Sequence, residues 1–367
     1  MNNSKEMKRV LLIVVSVVLM LGVTTVIWAK GKEEEEHIEE TKDVNLVPTL
    51  IDPVEKNSCW CGTFQLVWND MKNEVVKKNI VFTPQIKMAE NLNKETFTQE
   101  MISEDHYYKV YGLKTLKLKE KIEREIKSKF NQESDILKDF DWSEDGVSKN
   151  GNRYFFYSML YRKFEFLNPF DKLENSEFGK DGKEAKYFGI KSDTEEKVKE
   201  QIEVLFYNSE DDFAIVLKTK ENDELIFYKN PQGKTFMDIF KNMNKQADLY
   251  TGSKYFGKSD KFKAPYLQIN VKRNYSELAN REFKTNNPKI PVAKIEKAVQ
   301  SVKFTLDEKG GEVKSEAVID MKDNCVALAV DKVRNFSVDD TFTLFIREKG
   351  KEMPYFAMNV DDISKYQ

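Results

Sequence analysis

Histidine is almost missing from this 367-residue chain, which holds only His37 and His106. Two are too few for an ordinary histidine-built metal site or for a Ser-His-Asp triad, so no metal is expected and an enzyme is disfavoured. Both read as solvated surface side chains, His37 within a charged run. Cysteine is scarce too: Cys59, Cys61 and Cys325. An odd number cannot be fully paired within one chain, which excludes a disulfide scaffold. In SCWCGTF only Trp60 separates the first two, whereas a usual redox dithiol has two intervening residues, so Cys59 and Cys61 read as buried or locally paired. The chain has no GKxS/T phosphate loop and no Gly-rich dinucleotide turn, and no cofactor is expected. With 59 basic against 62 acidic residues, a net charge of -3 and no basic stripe interleaved with aromatics, nucleic acid is not an expected partner.

What is present is a foldable composition, 40% hydrophobic and 33% charged, with 25 Phe and 15 Tyr to bury. Lys5, Lys8 and Arg9 precede LLIVVSVVLMLGVTTVIWA, Leu11 to Ala29. A continuous apolar run behind basic residues predicts a signal peptide or a transmembrane anchor over residues 1–30. Either reading puts the remainder outside the cytoplasm, secreted or held at the membrane through its N-terminal segment. Residues 31–58, with the EEEE run, Pro48 and Pro53, read as a charged flexible spacer. Residues 59–367 read as one domain.

Phe64, Val67, Trp68 and Met71 recur at helical spacing. NIVFTP, Asn79 to Pro84, predicts a short buried strand closed by proline. LKLKEKIEREIKSKF predicts a helix with a charged wet face, and RYFFYSMLY a buried strand. The second half is dominated by strand signals: QIEVLFY, DFAIVLKTK, ELIFYK, YLQINVKR, VKFTLDE, TFTLFIRE and PYFAMNV. Short helices are expected around KTFMDIFKNM and YSELANREF. The fold class expected is α+β, with antiparallel strands dominant.

The order of segments resembles the serpin family. VKFTLDEKGGE, Val302 to Glu312, looks like the last central-sheet strand and hinge. NFSVDDTFTLFIREKGKEMPYFAMNV, Asn335 to Val360, looks like the closing strands beyond an exposed reactive loop. FEFLNPFD, Phe164 to Asp171, resembles the segment beneath the top of the central sheet. NIVFTP resembles the early buried strand, and ESDILKDFDW the end of the helix lying across the sheet. The likeness runs from about Cys59 to the C-terminus.

The resemblance implies a large mixed, mainly antiparallel central sheet, additional sheets, packed helices and an exposed loop. It also implies a noncatalytic role: a serine or cysteine protease cuts the loop, which inserts as a strand before the acyl enzyme is hydrolysed. The alternative is a noninhibitory binding or structural protein on the same fold. The hinge would run through Glu308, Gly310, Gly311, Val313, Lys314, Ser315, Glu316 and Ala317. With a period of two, Gly311, Val313, Ser315 and Ala317 would face inward, a small uncharged set, while Lys314 and Glu316 would face outward and slow insertion. The reactive bond, carried over by distance, falls between Asn324 and Cys325, with Lys322 as an alternative specificity residue. The sheet-opening region would include Thr83, Ile86, Ser158, Phe166 and Gln300.

Overall fold

A computed structural model describes residues 39–142, 147–148, 151–312 and 333–367. The N-terminal segment 1–30, Cys325, and the loop residues Val313, Lys314, Ser315, Glu316, Ala317, Lys322 and Asn324 lie outside the described residues. Among the described residues no helix is long and apolar enough to cross a membrane.

Residues from Glu40 to Gln367 form one compact unit. Its two principal sheets use, in chain order, β1 (Asn45–Leu46), β2 (Ser58–Cys61), β3 (Tyr107–Leu113), β4 (Tyr154–Leu160), β5 (Lys163–Glu165), β6 (Ile202–Ser209), β7 (Asp212–Lys218), β8 (Asp223–Lys229), β9 (Leu267–Asn274), β10 (Val299–Leu306), β11 (Gly310–Glu312), β12 (Phe342–Glu348) and β13 (Phe356–Val360). The larger sheet has the order β1-β2-β13-β12-β8-β7-β6. Among the described residues its one parallel pair is β1 with β2. The architecture is α+β with a large mixed, mainly antiparallel sheet, smaller sheets and packed helices. A smaller four-stranded sheet runs Asn335–Ser337, Lys261–Pro265, Tyr187–Gly189, Asp171–Lys172.

The central strands of the large sheet are apolar at nearly every position because both faces are covered. All five residues of β13 and the first five of β12 are buried. Helix α1 (Thr63–Asp70), α2 (Lys87–Leu92), α3 (Leu116–Phe130) and α4 (Phe236–Leu249) supply the helical layers. Helix α4 starts where the Thr235 hydroxyl accepts the Asp238 N–H at 3.1 Å. It covers one face of the sheet by setting Phe236 and Phe240 against Phe345, with ring centroids 6.2 and 5.1 Å apart. Helix α3 is capped by Thr115 and ends at left-handed Asn131. Its buried residues Ile122, Ile126 and Phe130 fall four apart and form a separate apolar cluster with Phe155 and Tyr157 of β4.

Several expectations are corrected. Residues 79–84 are no strand: Ile80 and Phe82 are buried, but the Asn93 side chain takes the place of a ladder, bonding the Ile80 N–H and C=O at 3.1 and 2.8 Å. The early strand beside β13 is instead β2, where Ser58 pairs with Asn359. ESDILKDFDW lies beyond the end of α3 as a turn around Leu137–Asp139 that buries Leu137 and Trp142. YSELANREF makes only the turn Ser276–Leu278, because Asn280 at φ 58° cannot continue a helix. The spacer is shorter than 31–58: Leu46, Val47 and Leu50 are buried in the main core. Strand β4 is half-buried rather than fully buried, alternating against α3.

Candidate functional site

The second principal sheet is split. One part holds β3 and β4 alone, and the other has the order β9-β10-β11-β5. Strand β5 continues β4 along the chain, so among the described residues the ladders of the two halves meet where the three residues of β11 sit between β10 and β5. Thr305 and Leu306 pair with Glu312 and Gly311 on one side, and Gly310, Gly311 and Glu312 pair with Glu165, Phe164 and Lys163 on the other. Below that point, among the described residues, β10 has no ladder partner except β9, and β4 none except β3. Two facing strand edges without a ladder between them form a template for one more strand.

The hinge is fixed at its entry. Asp307 accepts the N–H groups of Lys309 and Gly310 at 2.7 and 3.1 Å, forming a tight turn. The carbonyls of Glu308 and Lys309 accept Phe170 N–H and Phe166 N–H, both at 2.8 Å. Glu308 is buried and receives the Tyr266 hydroxyl at 2.7 Å, with Lys172 at 3.5 Å. Burial opposes ionisation of Glu308, but the Tyr266 hydrogen bond and Lys172 outweigh it and hold the carboxyl below its ordinary value. The structure therefore brings Glu308, Gly310, Gly311 and Phe166 together. Phe166 is buried beside Phe170, ring centroids 4.9 Å apart.

Farther down the slot, Gln300 is buried on the inner face of β10. Its amide donates to Cys61 O and Thr63 Oγ1, both at 3.1 Å, and its carbonyl accepts the Tyr275 hydroxyl at 2.8 Å. Thr83 and Ile86 are not among these partners: Thr83 is exposed and Ile86 packs in a small separate cluster. The Ser158 hydroxyl on β4 is buried with no hydrogen-bond partner. Gln300→Ala would strand the buried Tyr275 hydroxyl, costing about 1–3 kcal/mol of stability. A lower unfolding midpoint, largely recovered by adding Tyr275→Phe, is the expected result.

Charged links cross the outer face of the split. In the segment following α3, Asp135 pairs with Lys303 at 3.0 Å and Asp139 with Lys272 at 2.5 Å. Lys297 donates to the Asp139 carbonyl at 2.7 Å, and Arg153 pairs with Glu296 at 3.0 Å.

Where β4 passes into β5 there is a buried ionic cluster that the sequence reading missed. Arg162, 1% exposed, hydrogen-bonds Asp223 and the His106 ring and donates to Glu221 O at 2.8 Å. The Tyr355 hydroxyl donates to Asp223 at 3.1 Å. Glu348, the ladder partner of Asp223, accepts the Ser103 N–H at 3.0 Å. His106 is thus not a surface side chain, because the turn Glu104–His106 folds it under β4. Burial first, and the Arg162 cation second, lower its pKa to about 4, so the ring is neutral. Burial raises Asp223 to about 7 against the pull of Arg162. The available signal was a lone arginine inside the strand-forming run YFFYSMLYRKFEF, since a buried charge needs partners. Cys59 and Cys61 are buried free thiols, and burial raises the pKa of both. Among the described residues no group of three or more His, Cys, Asp or Glu is placed to hold a metal ion.

No protein-family model and no curated protein matches this sequence. Among solved structures, the chain is similar to thyroxine-binding globulin in complex with thyroxine, at 14% identity and TM-score 0.41 over 66% of this chain and 63% of that one. It is similar to human thyroxine-binding globulin complexed with thyroxine, at 13% identity and TM-score 0.39 over 67% and 64%. It is also similar to a highly specific serpin of the insect Tenebrio molitor, at 12% identity and TM-score 0.39 over 71% and 77%. The chain spans a little under two thirds of the length of the two globulin structures, 63% and 64%.

Proposed function

We propose that this chain is an extracytoplasmic, serpin-like protein whose loop, once cut by a serine or cysteine protease, adds as a strand to the split sheet and inhibits that protease. The observation that carries the reading is the seating of β11 between β10 and β5, above two edges that have no ladder between them among the described residues. Extended in the same register, that ladder would set Val313 opposite Phe304, Ser315 opposite Val302 and Ala317 opposite Gln300 on the inner face. Phe304, Val302 and Gln300 are all buried, so small uncharged partners suit them. Residues 1–30 serve in this reading as export signal or membrane anchor, and the reactive bond falls at Asn324 and Cys325 or after Lys322.

A noninhibitory binding role on the same fold is favoured by one specific observation. The same register would set Lys314 opposite Lys303, a like-charge pair, and Glu316 opposite Ser301, on the face already crossed by the Asp135–Lys303 pair. Slow insertion would let the protease deacylate and leave. Controlled loop cleavage followed by mass analysis and a thermal melt separates the two readings. Inhibition predicts a denaturant-resistant covalent complex with at least one protease, and a rise of ~10 °C or more in the melting midpoint, the scale of several kcal/mol in a domain this large. Clean cleavage by every protease with no rise would leave the binding role.

A further inference from the structure

We infer that a lysine-rich ledge around Tyr255 and Val333 is a docking surface for an acidic protein surface beside the active-site cleft of the protease that cuts the loop, an inference that rests on the reading above. Tyr255 is 69% exposed and Val333 is 55% exposed. Lone surface apolar residues are ordinary, but these two are joined by a buried anchor. Arg334, next to Val333, donates to Tyr255 O at 2.5 Å, to Ser253 O at 2.7 Å and to Asp260 at 3.1 and 2.7 Å. Asp260 also accepts the backbone N–H of Arg334 at 3.0 Å and of Gly257 at 2.7 Å. Tyr255 is further bridged to Glu203, and Phe256 packs against Phe336 with ring centroids 5.6 Å apart. An exposed aromatic whose backbone is already fixed on both sides has less freedom to lose on binding, which suits an interface anchor.

Charge defines the partner. Lys254, Lys258 and Lys261 are exposed on the same segment, and none has an ion-pair partner among the described residues. Unpaired lysines also occur elsewhere on the surface; what sets these three apart is their grouping on one segment around an anchored aromatic, with the nearby Lys218 already neutralised by Glu203 at 3.1 Å. Lys261 pairs in the ladder with Asn335, two residues beyond Val333, so the cations flank the C-terminal root of the loop. A molecule approaching the loop from that side meets three cations around an aromatic and a branched apolar side chain. That combination suits an acidic protein surface with an apolar notch, and such charge speeds encounter.

The test is the second-order rate of loop cleavage, kcat/KM, by trypsin, chymotrypsin, elastase and papain. It compares the full chain with Lys254→Glu/Lys258→Glu/Lys261→Glu, the milder Lys→Gln set, and Tyr255→Ala, at low and physiological salt. For at least one protease the Glu set should lower kcat/KM about ten-fold and flatten its salt dependence, with the Gln set intermediate and Tyr255→Ala about three-fold down. Melting midpoints of the variants should match the parent. Equal cleavage of all variants by every protease would overturn the inference. So would unchanged cleavage together with lost retention on heparin, which would assign the lysines to a polyanion. Because the readout is the cut itself, a protein that is cut and never traps its protease would sink the proposed function while leaving the ledge standing.

Discussion

Arg162→Met should lower the stability of the domain by about 3–5 kcal/mol, the cost of removing one member of a buried charged cluster. Asp223 would keep its Tyr355 hydrogen bond and lose its cation, while His106 and the Glu221 carbonyl would lose their donor. Equilibrium denaturation measures the loss, and Arg162→Met with Asp223→Asn should recover part of it by removing the unpaired carboxylate. A fall below about 1 kcal/mol, the range of an exposed pair, would contradict the role assigned to the cluster. The pH dependence has a definite sign. His106 has a folded pKa of about 4, below its ordinary value of 6.5, so between these values the unfolded chain binds the extra proton. Its contribution is complete above about 6.5 and is lost as pH falls toward 4. Asp223, raised to about 7, works in the opposite sense over much of that range, because the native state takes up its proton first. The difference between wild type and His106→Gln isolates the histidine: the variant should gain on the wild type as pH falls from about 6.5, by up to about 3 kcal/mol near pH 4.

The second large effect is expected at Gly311. A Cβ there would press on the Thr305 carbonyl oxygen and lie 2.7 Å from the Phe164 ring. Gly310 is equally constrained, with φ +151° and Glu165 Cα 2.8 Å from an added Cβ. Gly311→Val should therefore expel β11 from between β10 and β5, costing about 2–4 kcal/mol. Hydrogen exchange at Phe164, Phe166, Thr305 and Asp307, the amides on the β11 side of their strands, should speed up while the β6–β8 strands stay protected. Unchanged protection at those four amides would show that β11 does not hold the halves together.

Much of this arrangement was legible in the sequence for a simple physical reason. The strands of the large sheet are covered on both faces and read as apolar runs, and the hinge lies directly after such a run in VKFTLDEKGGE. The helix over Leu116–Phe130 was legible because its apolar residues recur four apart. What escaped depends on pairing across long separations. Strand β2 is four residues long and its identity comes from Asn359, Met358, Ala357 and Phe356 beside it. Asn79 to Pro84 has strand composition, yet the Asn93 side chain satisfies it. His106, Arg162 and Asp223 are dispersed along the chain, so their meeting is a property of the fold.

The pairing of β2 with β13 also bears on how the protein is made. Ser58 meets Asn359, so the N-terminal edge of the large sheet waits for almost the whole chain to be synthesised, on the order of tens of seconds at ordinary ribosome speeds. Throughout that interval the apolar Cys59, Trp60 and Cys61 have only the two-residue β1 beside them, and the edge that β13 will cover stays open. Until β13 arrives, that open edge is a template on which another chain could add a strand, so slow synthesis of the C-terminal segment lengthens the exposure to mispairing.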